Sequence, residues 1–245
     1  MARNVIVTGG GTGIGRAVAS RFAADGDRVV LIGRRVDVLE EAAAEIGGIA
    51  ISGDLADPVD VSKIAAEVVD RFGHVDVLVA SAGGNATFSA PTGLSGVEAV
   101  AWNWTENFRL NTLTAVLLTE ALRPHLADGA RVLLISSIAA YRGSGSGSYA
   151  ASKAALHPYA YDLASALGGR GITVNVVAPG YIAETEFFQG KLAVEREKLL
   201  VSQTHTGRAG VPADIADTAF WLASASAGQV TGQIIQVNGG AERGR

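Results

Sequence analysis

Short, nearly unbroken apolar runs recur along the chain, and between them apolar positions return every three or four residues. The runs predict strands over 4–8, 28–32, 49–52, 75–80, 131–136, 173–178 and 233–237. A strand that is apolar at every position, rather than at every second one, is buried on both faces, as in a parallel sheet covered by helices. The intervening periodicity predicts helices over 14–24, 36–46, 58–72, 149–167 and 212–223, with a long one around 97–126. Gly26, Gly73 and the pair Gly168-Gly169 stand where helix stops belong. Strand and helix alternate with no linker and no shift in composition. The expectation is one α/β domain over 1–245: a Rossmann-like, doubly wound fold with about seven parallel strands and helices on both faces.

Two segments break this rhythm. Residues 83–96 are rich in Gly, Ser, Thr and Pro, and residues 181–210 are long, polar and mixed. Both follow predicted strand ends, on the edge where open α/β sheets bind ligands. The second is the expected substrate loop; the first reads equally as a substrate wall or as an ordinary surface excursion.

Composition narrows the function classes. Of 245 residues, 48% are hydrophobic and 18% charged, enough apolar surface for a sizeable core. A net charge of -4 gives no electrostatic reason to expect nucleic acid or an anionic membrane as partner. With no cysteine there is no disulfide or thiolate chemistry. His74, His125, His157 and His205 lie too far apart for metal-ligand spacing, and each reads as a surface or loop residue. No apolar stretch is long enough to span a bilayer and no secretory signal pattern is present, so the cytoplasm is expected.

The first predicted strand ends at Thr8 and runs into Gly9-Gly10-Gly11-Thr12-Gly13-Ile14-Gly15. Strand, glycine turn and helix start form a phosphate-binding unit, because the turn lets backbone approach an anion and the helix start offers free N–H groups. The glycines fit G-x-x-x-G-x-G at Gly9, Gly13 and Gly15, with Ile14 where a G-x-G-x-x-G pattern would place its last glycine. A second strand that serves NAD commonly ends in an acid. Here it ends Gly33-Arg34-Arg35, and the nearest acid is Asp37. Two guanidinium forks there suit a ribose 2′-phosphate, or they simply cap an exposed strand end. NADPH is the expected cofactor, with NAD(H) left open. Asp54, before Leu55, is placed to accept from an adenine amine or to cap a turn. Ala82-Gly83 leaves room for a flat cofactor ring.

Tyr149 and Lys153 stand at i and i+4, one turn apart on one helix face. A nearby ammonium favours the phenolate, so the pair is expected to tune Tyr149 downward for proton exchange with a carbonyl or alcohol oxygen. Ser136-Ser137, at the end of a strand, supplies a hydroxyl to polarise that oxygen.

Taken with Ser81-Ala82-Gly83, Leu110-Asn111, Asn175-Val176-Val177-Ala178-Pro179-Gly180 and the tail motif 230–240, these features resemble the short-chain dehydrogenase/reductase family across essentially the whole chain. The similarity is greatest to 3-oxoacyl-carrier-protein reductases and polyketide ketoreductases. The resemblance implies a Ser–Tyr–Lys–Asn tetrad. Tyr149 is its acid–base, and Lys153 binds the nicotinamide ribose and tunes Tyr149. Asn111 holds a proton-relaying water, with Asn107 as a weaker rival. Pro179, Gly180 and Ile182 line the nicotinamide, and Thr185 reaches its carboxamide. Ser137 is backed over Ser136 because 137–143 matches the family run from that serine, which puts a one-residue deletion in the Gly/Ser loop 143–148.

The activity implied is reduction of a small-molecule ketone to a secondary alcohol, in a homotetramer or homodimer. The alternatives are oxidation of a sugar-like or steroid-like alcohol, and a nucleotide-binding regulator without turnover. Departures from the family pattern are Ser81 for the usual Asn, and Pro158, which should kink the helix carrying Tyr149. Trp102 and Trp104 are either helix core or substrate contacts.

Overall fold

The computed structural model describes residues 2–243. Seven strands form one sheet, with every neighbouring pair parallel: β1 Asn4–Thr8, β2 Arg28–Gly33, β3 Ile49–Ser52, β4 Val75–Ala80, β5 Leu126–Ile135, β6 Thr173–Pro179 and β7 Ile234–Val237. Their order is β3-β2-β1-β4-β5-β6-β7. The chain therefore winds outward from β1 through β2 to β3, then returns to add β4 on the other side of β1. The crevice at the carboxyl ends of β1 and β4 is the topological switch point, where such sheets bind ligands.

The apolar runs are continuous because alternate side chains serve two cores. Ile6, Val30, Leu78, Leu134 and Val176 point to one face. Val5, Val7, Leu31, Val79, Leu133 and Val177 point to the other. The first face packs on α3 (Pro58–Phe72) through Ile64 and Val68, on α5 (Thr114–Leu122) through Leu118 and Leu122, and on α8 (Leu156–Leu167) through Leu163. The second is covered by α1 (Gly13–Ala24), α2 (Val36–Ile46) and α10 (Pro212–Leu222), through Phe22, Leu39 and Ile215.

The structure corrects several sequence expectations. The long helix expected around 97–126 is α4 (Gly96–Phe108), a π-turn over Arg109–Leu113, then α5 and a 3₁₀ turn Arg123–His125. After the short α6 (Ala139–Arg142), the helix expected over 149–167 is broken into α7 (Gly147–Ala154) and α8, which meet at Ala155. Pro158 offers no N–H to the Ala154 carbonyl four residues earlier, so the ladder fails there. Strand β5 starts five residues before its expected position, with a register irregularity against β4 between Val75 and Val77. The segment 181–210 is not all loop: it carries α9 (Val194–Ser202), and its ends are joined by a parallel bridge between Ile182 and Gly210. Among the described residues, no helix is long and apolar enough to cross a membrane.

Candidate active site

A cleft of about 1720 Å³ opens at the switch point. It is larger than the roughly 300–1,000 Å³ that one drug-sized ligand needs. One half is built by the ends of β1, β2 and β4. The buried Thr8 hydroxyl accepts from the Ser81 and Ala82 N–H groups at 2.9 and 2.8 Å, tying the end of β4 to the glycine turn. Gly15 is required by this packing: a Cβ there would lie 2.2 Å from the Gly9 carbonyl oxygen. Thr12 precedes α1 without capping it through its side chain, and the first turn of α1 holds no acid. The N–H groups of that turn are therefore available to an anion. The close backbone, uncapped helix start and small Ala82-Gly83 edge fit a dinucleotide.

The arginines after β2 divide. Arg35 donates to the Thr12 hydroxyl at 3.2 Å and to Glu186 at 2.8 Å, so it bridges the glycine turn and the segment after β6. Arg34 lines the cleft and belongs to no ion pair found among the described residues. Asp54 is already engaged, accepting from the Ala56 N–H at 3.0 Å and from Arg109 at 2.7 Å. Burial pushes its carboxyl up, but those two donors together with the charges of Arg109 and Arg34 outweigh burial and hold it below its usual range. Arg16, on α1, is paired with Glu45.

The other half of the cleft holds the proton-handling groups. Ser136 and Ser137 follow β5 and face opposite ways, as successive extended residues must. The Ser136 hydroxyl donates to the Lys153 carbonyl at 3.0 Å and lies 2.9 Å from His157 Nε2. Ser137 lies beside Tyr149, whose phenol it influences, and accepts from the Ala139 N–H at 3.1 Å. Tyr149 is 6% exposed, and the ring of Phe187 lies 5.4 Å from its own. Burial pushes the phenol up to about 12, with Ser137 pulling in the opposite sense. The lowering influence on the phenol comes from Ser137 and not from the expected Lys153, and burial sets the net direction. Burial also lowers Lys153, to about 8. Its ammonium donates to the Ile135 carbonyl at 2.8 Å.

Asn111 sits in the π-turn and is fully buried. It clasps Gly84, accepting from its N–H at 3.0 Å and donating to its carbonyl at 2.8 Å. A Cβ on Gly83 would meet Asn111 Oδ1 at 2.6 Å and Lys153 Nζ at 3.0 Å, so those two groups converge on one small-residue gap. Such wide turns are frequent at functional sites. Asn107 instead ties α4 to the Ala86 N–H and to the Ser148 hydroxyl. Gly9, Gly11, Thr12, Gly13, Ile14, Gly15, Leu55, Pro179, Gly180, Ile182 and Thr185 all line the same cleft.

Several contacts escaped the sequence. His157 is half-buried and packs on Tyr141 at 5.3 Å, rather than lying in solvent. Trp104 is 46% exposed and stacks on Phe108, and neither Trp102 nor Trp104 lines the cleft. Phe88, Phe187 and Phe188 form the aromatic wall instead, at centroid spacings of 4.9 to 6.1 Å. An adjacent Phe pair in a loop after a strand end was the available signal.

Known proteins match the chain along almost its whole length. The family model described as enoyl-(acyl carrier protein) reductase matches residues 9–242. The chain is 34% identical to galactitol 2-dehydrogenase (L-tagatose-forming) of Cereibacter sphaeroides, covering 96% of this chain and 92% of that protein. It is 32% identical to 3-oxoacyl-[acyl-carrier-protein] reductase of Escherichia coli, covering 96% and 95%. Among solved structures, a short-chain dehydrogenase/reductase from Brucella melitensis aligns with a TM-score of 0.89 at 32% identity, over 99% and 97% of the two chains. A short-chain dehydrogenase from Burkholderia cenocepacia in complex with NADP aligns at 0.85 and 31%, over 98% and 97%. The full-length match in sequence and fold shows that this chain belongs to the short-chain dehydrogenase/reductase family, oxidoreductases that act on CH–OH and C=O groups.

Proposed function

We propose that the protein is an NADPH-dependent carbonyl reductase that converts a ketone to a secondary alcohol. The observation that carries this reading is the convergence of Ser137, Tyr149 and Lys153 in one cleft, with Lys153 and Asn111 meeting at Gly83. Ser137 and Tyr149 together hold the substrate oxygen. NADPH, when bound, supplies the hydride to the carbonyl carbon. Tyr149 gives its proton to the oxygen; a phenol kept protonated by burial is suited to donate. Lys153 restores that proton, with Asn111 positioning a water beside it. The glycine turn, Ala82, Gly83, Asp54 and Leu55 hold the nucleotide, and Arg34 and Arg35 take a 2′-phosphate. Pro179, Gly180, Ile182 and Thr185 form the wall behind the nicotinamide. Self-association as a homodimer or homotetramer is part of this reading, supported by exposed Val97, Val100, Trp104 and Leu113 along α4 and the π-turn that follows it.

The test is NADPH oxidation followed by absorbance against aryl, alkyl and cyclic ketones, beside NADP⁺ and NAD⁺ reduction with the matching alcohols. Ketone-dependent NADPH oxidation is expected. Turnover confined to alcohols with NAD⁺ would favour the dehydrogenase reading, consistent with the galactitol dehydrogenase relative. The same assay separates the two serines. Ser137→Ala is expected to lower kcat/KM by about 10²–10³-fold, the usual cost of one donor to a reacting oxygen. Ser136→Ala, which touches Lys153 only through its carbonyl, should cost no more than about tenfold. The reverse ranking, in two variants with unchanged melting temperatures, would give Ser136 the role at the substrate.

A further inference from the structure

The outer half of the cleft, beyond Tyr149, has a charge pattern that the proton chemistry does not use. Arg142, Lys191 and Arg196 all line it. Among the described residues, none of the three is in an ion pair. Arg142 donates to the Ala241 carbonyl and to Gln203 Oε1, both at 2.9 Å. Lys191 donates to the Phe88 carbonyl at 2.6 Å. These acceptors are neutral, so none of these contacts offsets the charge of Arg142 or Lys191. Among the described residues, the only carboxylates lining the cleft are Asp54 and Glu186, each already paired with an arginine.

Helix α9 sets the spacing. Arg196 and Leu200 fall one turn apart on α9, Gln203 caps its C-terminal end, and all three line the cleft. At 1.5 Å per residue, Arg196 and the Gln203–Arg142 contact stand about 10 Å apart along the axis, with an apolar Leu200 between them. An aromatic wall continues inward: Tyr181 against Phe188, Phe188 against Phe187, and Phe187 on the Tyr149 ring, at 6.0, 4.9 and 5.4 Å. The cleft thus runs from a proton donor, along flat apolar rings, to a cationic rim. Arginine forks are suited to carboxylates and phosphates, and an arginine with spare donors in a partly enclosed cleft is a recognition element for them.

We infer that the substrate is an anionic carbonyl compound: an apolar, aryl-bearing or alkyl-bearing ketone whose carboxylate or phosphate is held by Arg196 and Arg142, with Lys191 adding to the field. The inference rests on the carbonyl-reductase reading above and names the substrate class of that site. The shared recognition chemistry is the anion, and the test separates its two sources.

Four probes serve: 4-oxo-4-phenylbutanoate and its methyl ester, and phenacyl phosphate beside acetophenone. Each is assayed for NADPH-dependent reduction and, independently, for binding to the NADP⁺-loaded protein by calorimetry. The acid is expected to exceed its ester in kcat/KM and in affinity by roughly ten- to a hundredfold, the range for a hydrogen-bonded charge. Added salt should shrink that ratio. In the double variant Arg142→Gln/Arg196→Gln the ratio should fall toward one. The conservative Arg196→Lys should recover part of it, and circular dichroism should show an unchanged fold. A preference for phenacyl phosphate over 4-oxo-4-phenylbutanoate would assign the rim to phosphate, and the opposite order to carboxylate.

An acid-to-ester ratio near one in the native protein would overturn the inference. So would a ratio that the double variant leaves unmoved, or a double variant whose main loss is in NADPH affinity measured by cofactor fluorescence. If the acid binds with the expected charge preference and no probe is reduced, the anion site stands and the reductase reading falls. If neutral ketones are reduced as well as anionic ones, the reverse holds.

Discussion

Tyr149→Phe is expected to lower kcat for ketone reduction by about 10²–10⁴-fold, the span attributed to one positioned acid–base group. The substitution removes only the phenol O–H. The ring still packs on Phe187, and Ser137 keeps the Ala139 N–H as a partner. The fold and nucleotide affinity should therefore survive, with a melting temperature within a few degrees of the native value. The measurement is steady-state turnover beside an NADPH fluorescence titration. The pH profile adds a second readout. Burial lowers Lys153 to about 8, so below that pH it carries a proton and above it the proton is lost. Restoration of the Tyr149 proton needs the charged lysine. Native kcat/KM for reduction should accordingly decline as pH rises through about 8, and the residual rate of the variant should not follow that decline. A variant that keeps most of the native rate would remove Tyr149 from proton transfer.

Arg34→Asp is expected to shift the ratio of kcat/KM with NADPH to that with NADH by about 10²–10³-fold toward NADH. Hydrogen bonds to a charged group contribute about 1.5–3 kcal/mol each, and the new carboxylate both repels a 2′-phosphate and can accept from a ribose hydroxyl. Arg34 is the better target of the two. Among the described residues its guanidinium is in no hydrogen bond or ion pair, although its charge acts on Asp54, whereas Arg35 is spread between Thr12 and Glu186 and must release the latter to meet a phosphate fully. Both kinetic ratios and dissociation constants should be compared at low and high salt, since screening weakens the phosphate contact in the native protein. A native preference for NADH would end this assignment. The shift should come from the NADPH side chiefly through KM, because the ribose lies away from the reacting carbon.

Much of the scaffold was legible in one dimension. A strand covered on both faces must be apolar at every position, and a helix end must shed its hydrogen-bond ladder, so local pattern placed β1, β3, β4, α2 and α3 at their observed bounds. The glycine turn was equally readable, because a close backbone crossing admits no side chain: the forbidden Cβ at Gly15 is a property of that turn. The one-turn spacing of Tyr149 and Lys153 follows from helix geometry alone.

What the sequence could not decide depends on groups brought together across the fold. Arg35 and Glu186 are 151 residues apart in sequence yet form one ion pair across the cleft mouth. The side to which each serine turns, the partnership of Ser136 with His157, and the engagement of Asp54 by Arg109 depend on elements 21 and 55 residues away. The proton affinity of Tyr149 illustrates the limit. Sequence spacing pointed to a lysine that would lower it, but burial of the phenol in the folded chain raised it, against the pull of Ser137. Local chain geometry sets which residues are neighbours on an element. Desolvation and electrostatic pairing depend on what the remaining elements bury against them, and only the tertiary structure fixes that.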